Sequence, residues 1–162
     1  GIELRRKDSC RVVCQLQQEA LDILGKAKDF EEFKAFFPDI FSLLKNYIAL
    51  LPTTPVEDLV ICKRLTKTSY KANIAQKTII NTMEKQGYLI YPGQTISYII
   101  RDVKNEKAEE RYATAEDFDG KIDFNKYTEL LVKSIYSLLQ PFGITMESLY
   151  ELVVERQQKL VK

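Results

Sequence analysis

Apolar residues recur at helical spacing over most of this chain and give way to strand-like runs only in its middle. Val12, Val13, Leu16, Ala20, Leu21, Ile23 and Leu24 fall on one face of a first helix. Asp8 or Ser9 ahead of them is a good N-cap type, and Gly25 closes the run. Asp29 caps a second run led by Phe30, Phe33, Phe36 and Phe37. Pro38 kinks or breaks that run, and the pattern resumes from Ile40 to Leu51. A short turn between the runs predicts an antiparallel helical hairpin over residues 1–51.

Leu51 to Val56, LPTTPV, reads as a linker, because each proline pushes its predecessor toward extended backbone. Leu59 to Cys62 then reads as a short buried strand. Tyr70 to Gln86 returns to helical period. Ala72, Ile74, Ala75, Ile79, Ile80 and Met83 would face inward, with Lys71, Lys77, Asn81 and Lys85 mostly outside. Gly87 stops this helix, Pro92-Gly93 marks a turn after Tyr88 to Tyr91, and Thr95 to Arg101 is a β-branched and aromatic strand. Lys104 to Glu110 is a charged loop.

Asp123 caps a long helix to Leu139, Pro141 and Gly143 break it, and Thr145 starts another. The pattern predicts a mostly α chain of α+β class. Its small α/β lobe, over residues 52–122, is inserted between the hairpin and returning helices over 123–162. All of this is expected to form a single domain.

Composition adds exclusions. An apolar fraction of 45% with 29% charged residues is ordinary for a globular chain of 162 residues. No run approaches the roughly 18 apolar residues of a membrane span. The first residues are charged with no apolar run behind them, so no signal peptide is expected. Gly1 stands where an initiator Met would, which predicts a piece of a longer protein or a processed product. Cys10, Cys14 and Cys62 lack CxxC spacing, and there is no His. They read as small buried hydrophobes and free thiols suited to a reducing compartment, rather than as a metal pair.

The same inventory argues against an independent enzyme. Without His there is no Ser-His or Cys-His relay, and the scattered glycines form no phosphate-cradling loop. Glu116 to Asn125, EDFDGKIDFN, imitates a calcium loop around Gly120. With Gly120 at loop position six, however, Ala115 and Lys126 stand where the first ligand and the bidentate Glu belong. A polar turn before an Asp-capped helix is the better reading.

Charge then singles out one stretch. The chain carries a net charge of only +1. Yet Lys63, Arg64, Lys67, Lys71, Lys77 and Lys85 crowd residues 63–85 of Leu59–Asp102, with Glu84 the only acid among them. Arg5-Arg6-Lys7 adds a basic trio before the first helix. Thr66, Ser69, Tyr70, Asn73 and Gln76 stand between the lysines and can hydrogen-bond phosphate. A local excess of this kind marks a polyanion surface, and it equally describes a solvated lysine face on a half-buried helix.

Read in order, these motifs resemble the C-terminal thumb of a family B DNA polymerase, archaeal or eukaryotic in type, with the end of the palm just upstream. Gly1-Ile2-Glu3, Arg5-Arg6 and Asp8 are similar to the family's passage from palm to thumb, with Lys7 inserted. Leu59-Val60-Ile61 then Leu65-Thr66-Lys67, followed by Tyr70-Lys71-Ala72, resembles its strand and apolar-Thr-basic element. Gly87, Pro92-Gly93 and Ile96 to Ile100 resemble its Gly, Pro-Gly and strand pattern. Ile122-Asp123 with Tyr127 and the Pro141-Phe142-Gly143 break resemble its long returning helix. The segment from Thr68 to Gln76 is shorter than in archaeal relatives, and Gln76 stands near the place of an absent His.

The resemblance implies a duplex-gripping piece of a polymerase. It would hold primer–template DNA through phosphates and the minor groove, with Arg5, Arg6, Lys7, Lys63, Arg64, Thr66, Lys67, Tyr70, Lys71, Asn73, Gln76 and Lys77 as contacts. It implies no catalytic residue and no cofactor in this chain, the Mg²⁺ ions being held by palm carboxylates elsewhere. The implied partners are the duplex and the palm and exonuclease parts of the same polymerase. A sliding clamp would join them if Gln157 and Leu160 begin a clamp peptide rather than a plain charged helix end. The implied setting is intracellular: cytoplasmic for an archaeal source, nuclear for a eukaryotic one. The readings left open beside it are a helical protein–protein interaction module and an adaptor with a small-molecule site.

Overall fold

A computed structural model describes residues 9–71 and 74–161, with side chains through Val153. The chain divides into two compact units. One is built from Val12–Thr54 and the segment from Tyr127 onward; the other contains Pro55–Lys126 and residues 9–11.

The first unit is helical. α1 (Arg11–Leu24) buries Val12, Val13, Leu16, Ala20 and Leu24, which is the predicted stripe without Leu21 and Ile23. Asp29 caps α2 (Phe30–Ala35) by accepting the Glu32 N–H at 2.9 Å. Pro38 does not kink a running helix. It sits in the first turn of a separate helix, α3 (Phe37–Ala49), where its missing N–H has no intrahelical partner to lose. The predicted second helix is therefore two, with Ile40, Leu44 and Ile48 of α3 in the core. The two helices that complete the unit are α5 (Phe124–Leu139), burying Tyr127, Leu131, Val132, Ile135 and Leu139, and α6 (Met146–Val161), which packs on α3. A buried Gln17 amide donates to the Ser134 carbonyl at 3.2 Å, joining α1 to α5 with its polar end satisfied.

The second unit carries the sheet. β1 (Ile61–Arg64) pairs antiparallel with β2 (Thr95–Ile100), and β2 pairs with β3 (Tyr112–Ala113). Opposite residues run from Ile61 and Tyr98 to Arg64 and Thr95. β1 starts two residues later than predicted because the Leu59 N–H is taken by the Val56 carbonyl, closing a 3₁₀ turn over Val56–Asp58. α4 (Ala75–Lys85) packs Ala75, Ile79 and Ile80 toward β2 and β3.

The start of α4 corrects the predicted helix from Tyr70: Ile74 is still extended, with φ −118° and ψ 167°. Gly87 ends α4 as predicted, at φ +90°. β3 was not predicted. It forms just past the charged loop, where Arg101 reaches back to it, its guanidinium donating to the carbonyls of Glu109 and Tyr112 and to Asp119. The whole is mostly α with a small antiparallel sheet, the α+β class that the pattern predicts.

Candidate nucleic-acid interface

The basic stretch begins where β1 ends. Beyond Arg64 the ladder with β2 continues for one more residue: Leu65 N–H donates to the Gln94 carbonyl, and Gly93 N–H to the Leu65 carbonyl, each at 2.7 Å. Leu65 is buried and pins this corner. The pairing lays the Pro92-Gly93 turn against Arg64. A Cβ at Gly93 would lie 3.6 Å from Arg64 Nη2, and Gly93 has φ +89°, a conformation that suits glycine.

Past Leu65 the chain bends at Thr66–Thr68. The Tyr70 side chain folds back on this bend, its hydroxyl oxygen accepting the Thr66 N–H at 3.3 Å and lying 3.5 Å from Thr66 Oγ1. Lys67 Nζ stands 4.8 Å from the centre of the Tyr70 ring, a cation–π placement. The hydrogen bond with the Thr66 side chain, its backbone contacts and the Lys67 charge lower the pKa of the Tyr70 phenol below its usual value.

Lys63 is half-buried, while Arg64, Lys67 and Lys71 are exposed. Among the described residues none of these four cations forms an ion pair. Elsewhere ion pairs join Arg11 to Asp58 at 3.2 Å, Arg101 to Asp119 at 3.3 Å and Lys133 to Glu129 at 3.0 Å. Unpaired cations on one corner leave a positive field facing solvent.

The other predicted contacts are placed differently. Gln76 and Lys77 lie in the first turn of α4 and are half-buried. Lys77 lines a shallow groove with Asn81, Lys85, Ala108 and Glu109, away from the Thr66–Tyr70 bend in sequence and in lining. Tyr70 and Lys71 sit on an irregular segment, not on a helix. Arg5, Arg6, Lys7 and Asn73 lie outside the described residues, as do the side chains of Gln157 and Leu160. What the residue pattern did not single out as a site is the exposed Tyr88–Tyr91 run beside the Pro-Gly turn. Its one signal was two tyrosines and a leucine in a loop with no periodic partner.

The pseudo-calcium segment is committed to internal bonds. Asp119 accepts the Lys121 N–H at 3.1 Å and pairs with Arg101, which holds its pKa below the usual carboxylate range. Asp117 accepts from the Gln86 amide at 3.1 Å. Among the described residues no three His, Cys, Asp or Glu side chains come together in a way that could hold a metal ion. Nor is any described helix long and apolar enough to cross a membrane.

The family model for DNA polymerase family B matches residues 1–142. This chain belongs to DNA polymerase family B. It is 26% identical to a DNA polymerase of Archaeoglobus fulgidus, a match covering 92% of this chain and 21% of that protein. A DNA polymerase of Thermococcus gorgonarius is likewise 26% identical over 92% of this chain and 19% of its own length. The chain thus spans about a fifth of the length of these relatives. Among solved structures, the family B DNA polymerase from the hyperthermophilic archaeon Pyrobaculum calidifontis superposes with a TM-score of 0.68. It is 21% identical, and the match covers 85% of this chain and 18% of that one, a likeness of fold.

Proposed function

We propose that this chain is the thumb region of a family B DNA-directed DNA polymerase, and that it grips primer–template duplex through phosphate and minor-groove contacts without polymerising alone. The observation that carries the reading is the corner at the end of β1, where Arg64, Lys67 and Lys71 are exposed and form no ion pair. Cations with no carboxylate to leave can meet phosphates at no cost in broken pairs, and each phosphate neutralised releases counterions. Thr66 and the Tyr70 hydroxyl add neutral hydrogen-bonding groups on the same bend. On this reading the Mg²⁺ ions and the carboxylates that hold them belong to the palm, and the partners are the duplex and the other parts of the polymerase.

Duplex binding measured across a salt series tests it. The expected result is sequence-indifferent binding that falls steeply with salt. Lys67→Ala and Lys71→Ala should each lower the slope of log affinity against log salt by about one. Absence of binding at low salt, or slopes untouched by both substitutions, would overturn the proposal.

A further inference from the structure

The loop that runs into the Pro-Gly turn exposes more apolar surface than its length requires. Leu89 is 86% exposed, Tyr91 59% and Tyr88 46%. The loop leaves α4 through Gly87 and reaches β2 through Gly93, both at positive φ. Its shape is fixed by the Tyr88 N–H donating to the Met83 carbonyl at 3.0 Å and by the Tyr91 N–H donating to Gln94 Oε1 at 3.1 Å. Tyr88 is also committed by its side chain, which donates to Glu116 at 2.8 Å. Among the described residues no hydrogen bond or ring contact holds the Tyr91 side chain.

The position of this loop matters as much as its composition. Tyr91 is two residues from Gly93, which is within about 7 Å along the chain. Gly93 is bonded to Leu65, and the Arg64 guanidinium lies 3.6 Å from where a Cβ on Gly93 would stand. An uncommitted aromatic ring and a bare leucine therefore adjoin the unpaired cations. Cations beside an aromatic platform are what a single strand of nucleic acid needs: charge for the backbone and a flat face for a base. A duplex hides its base faces except at its ends, so a base stacked on Tyr91 must be unpaired or terminal, and only an unpaired one has a free face within a longer strand.

We infer that Tyr91, flanked by Leu89, is a stacking platform for an unpaired base where single strand meets duplex, with Arg64 and Lys67 holding the adjoining phosphates. The inference rests on the DNA-gripping reading above and extends it from the duplex to its single-stranded flank.

The test uses the 162-residue chain and two fluorescent DNA probes, a blunt duplex and the same duplex with a single-stranded overhang, titrated across salt. The wild type should prefer the overhang probe by about ten-fold, within the range of one stacked base. The double variant Leu89→Ser, Tyr91→Ser should lose that preference while keeping its salt slope, because an apolar contact releases no counterions. Both residues are exposed, so the variant should melt like the wild type. A 2-aminopurine at the first unpaired position should change its fluorescence with the wild type and not with Tyr91→Ser. A wild type that binds both probes equally, or a preference that survives the double variant, overturns this inference and leaves the duplex grip standing. Absence of salt-sensitive binding to either probe overturns the grip and this inference with it.

Discussion

Tyr47 on α3 shows how one neighbour and partial burial change the behaviour of a single side chain. Burial first, then its hydrogen bond and charge contact with Glu19, push its phenol from 10.0 up to about 12. The unfolded chain ionises this tyrosine near pH 10 while the folded chain keeps it neutral. Stability is therefore unaffected below that pH and is lost as pH rises through the window between about 10 and 12. Denaturant unfolding at pH 9 and pH 11 should show the loss. Tyr47→Phe should reduce it, and Glu19→Gln should shift it to higher stability at the alkaline end. Asp119 works in the opposite direction. Its lowered pKa, set chiefly by the Lys121 N–H, adds stability above about pH 4 that fades as pH falls through the folded value. An acid melt of Asp119→Asn should lack that contribution.

Helix ends are the elements most completely written in the residues. Asp123 Oδ1 accepts the Lys126 N–H and its Oδ2 accepts the Val103 N–H, each at 3.0 Å. Asp123→Ala should cost about 1–2 kcal/mol in thermal unfolding, since it strips a cap and a second backbone partner together. Asp29, Gly87, Gly143 and Thr145 were legible for the same reason: caps and stops act within a few residues. β3 and the late start of α4 were not. β3 depends on Arg101 reaching across a loop, and the Thr66–Tyr70 segment is held by a side chain that folds back over its own bend. The candidate site divides in the same way. Its cations could be named from the chain, whereas the approach of Gly93 to Arg64 comes from pairing between Leu65 and Gln94, far apart in sequence.

For the molecule as a whole, a net charge of +1 says little about what it binds. Where the cations stand decides that. Lys67→Glu combined with Glu31→Lys, an exposed position on α2, leaves net charge unchanged. DNA affinity in the pair should nevertheless fall as far as in Lys67→Glu alone; recovery in the pair would show that a diffuse field, not the corner, governs binding. β1 also lies at the margin of its sheet, and among the described residues only β2 pairs with it. Such a margin offers bare N–H and C=O groups to any strand that drifts alongside, including another copy of itself. Lysine and arginine there make self-templating unfavourable through mutual repulsion. Lys63 and Arg64 thus act as gatekeepers of colloidal stability. Replacing both with apolar residues should turn a clear concentrated solution turbid even without DNA, as light scattering would register.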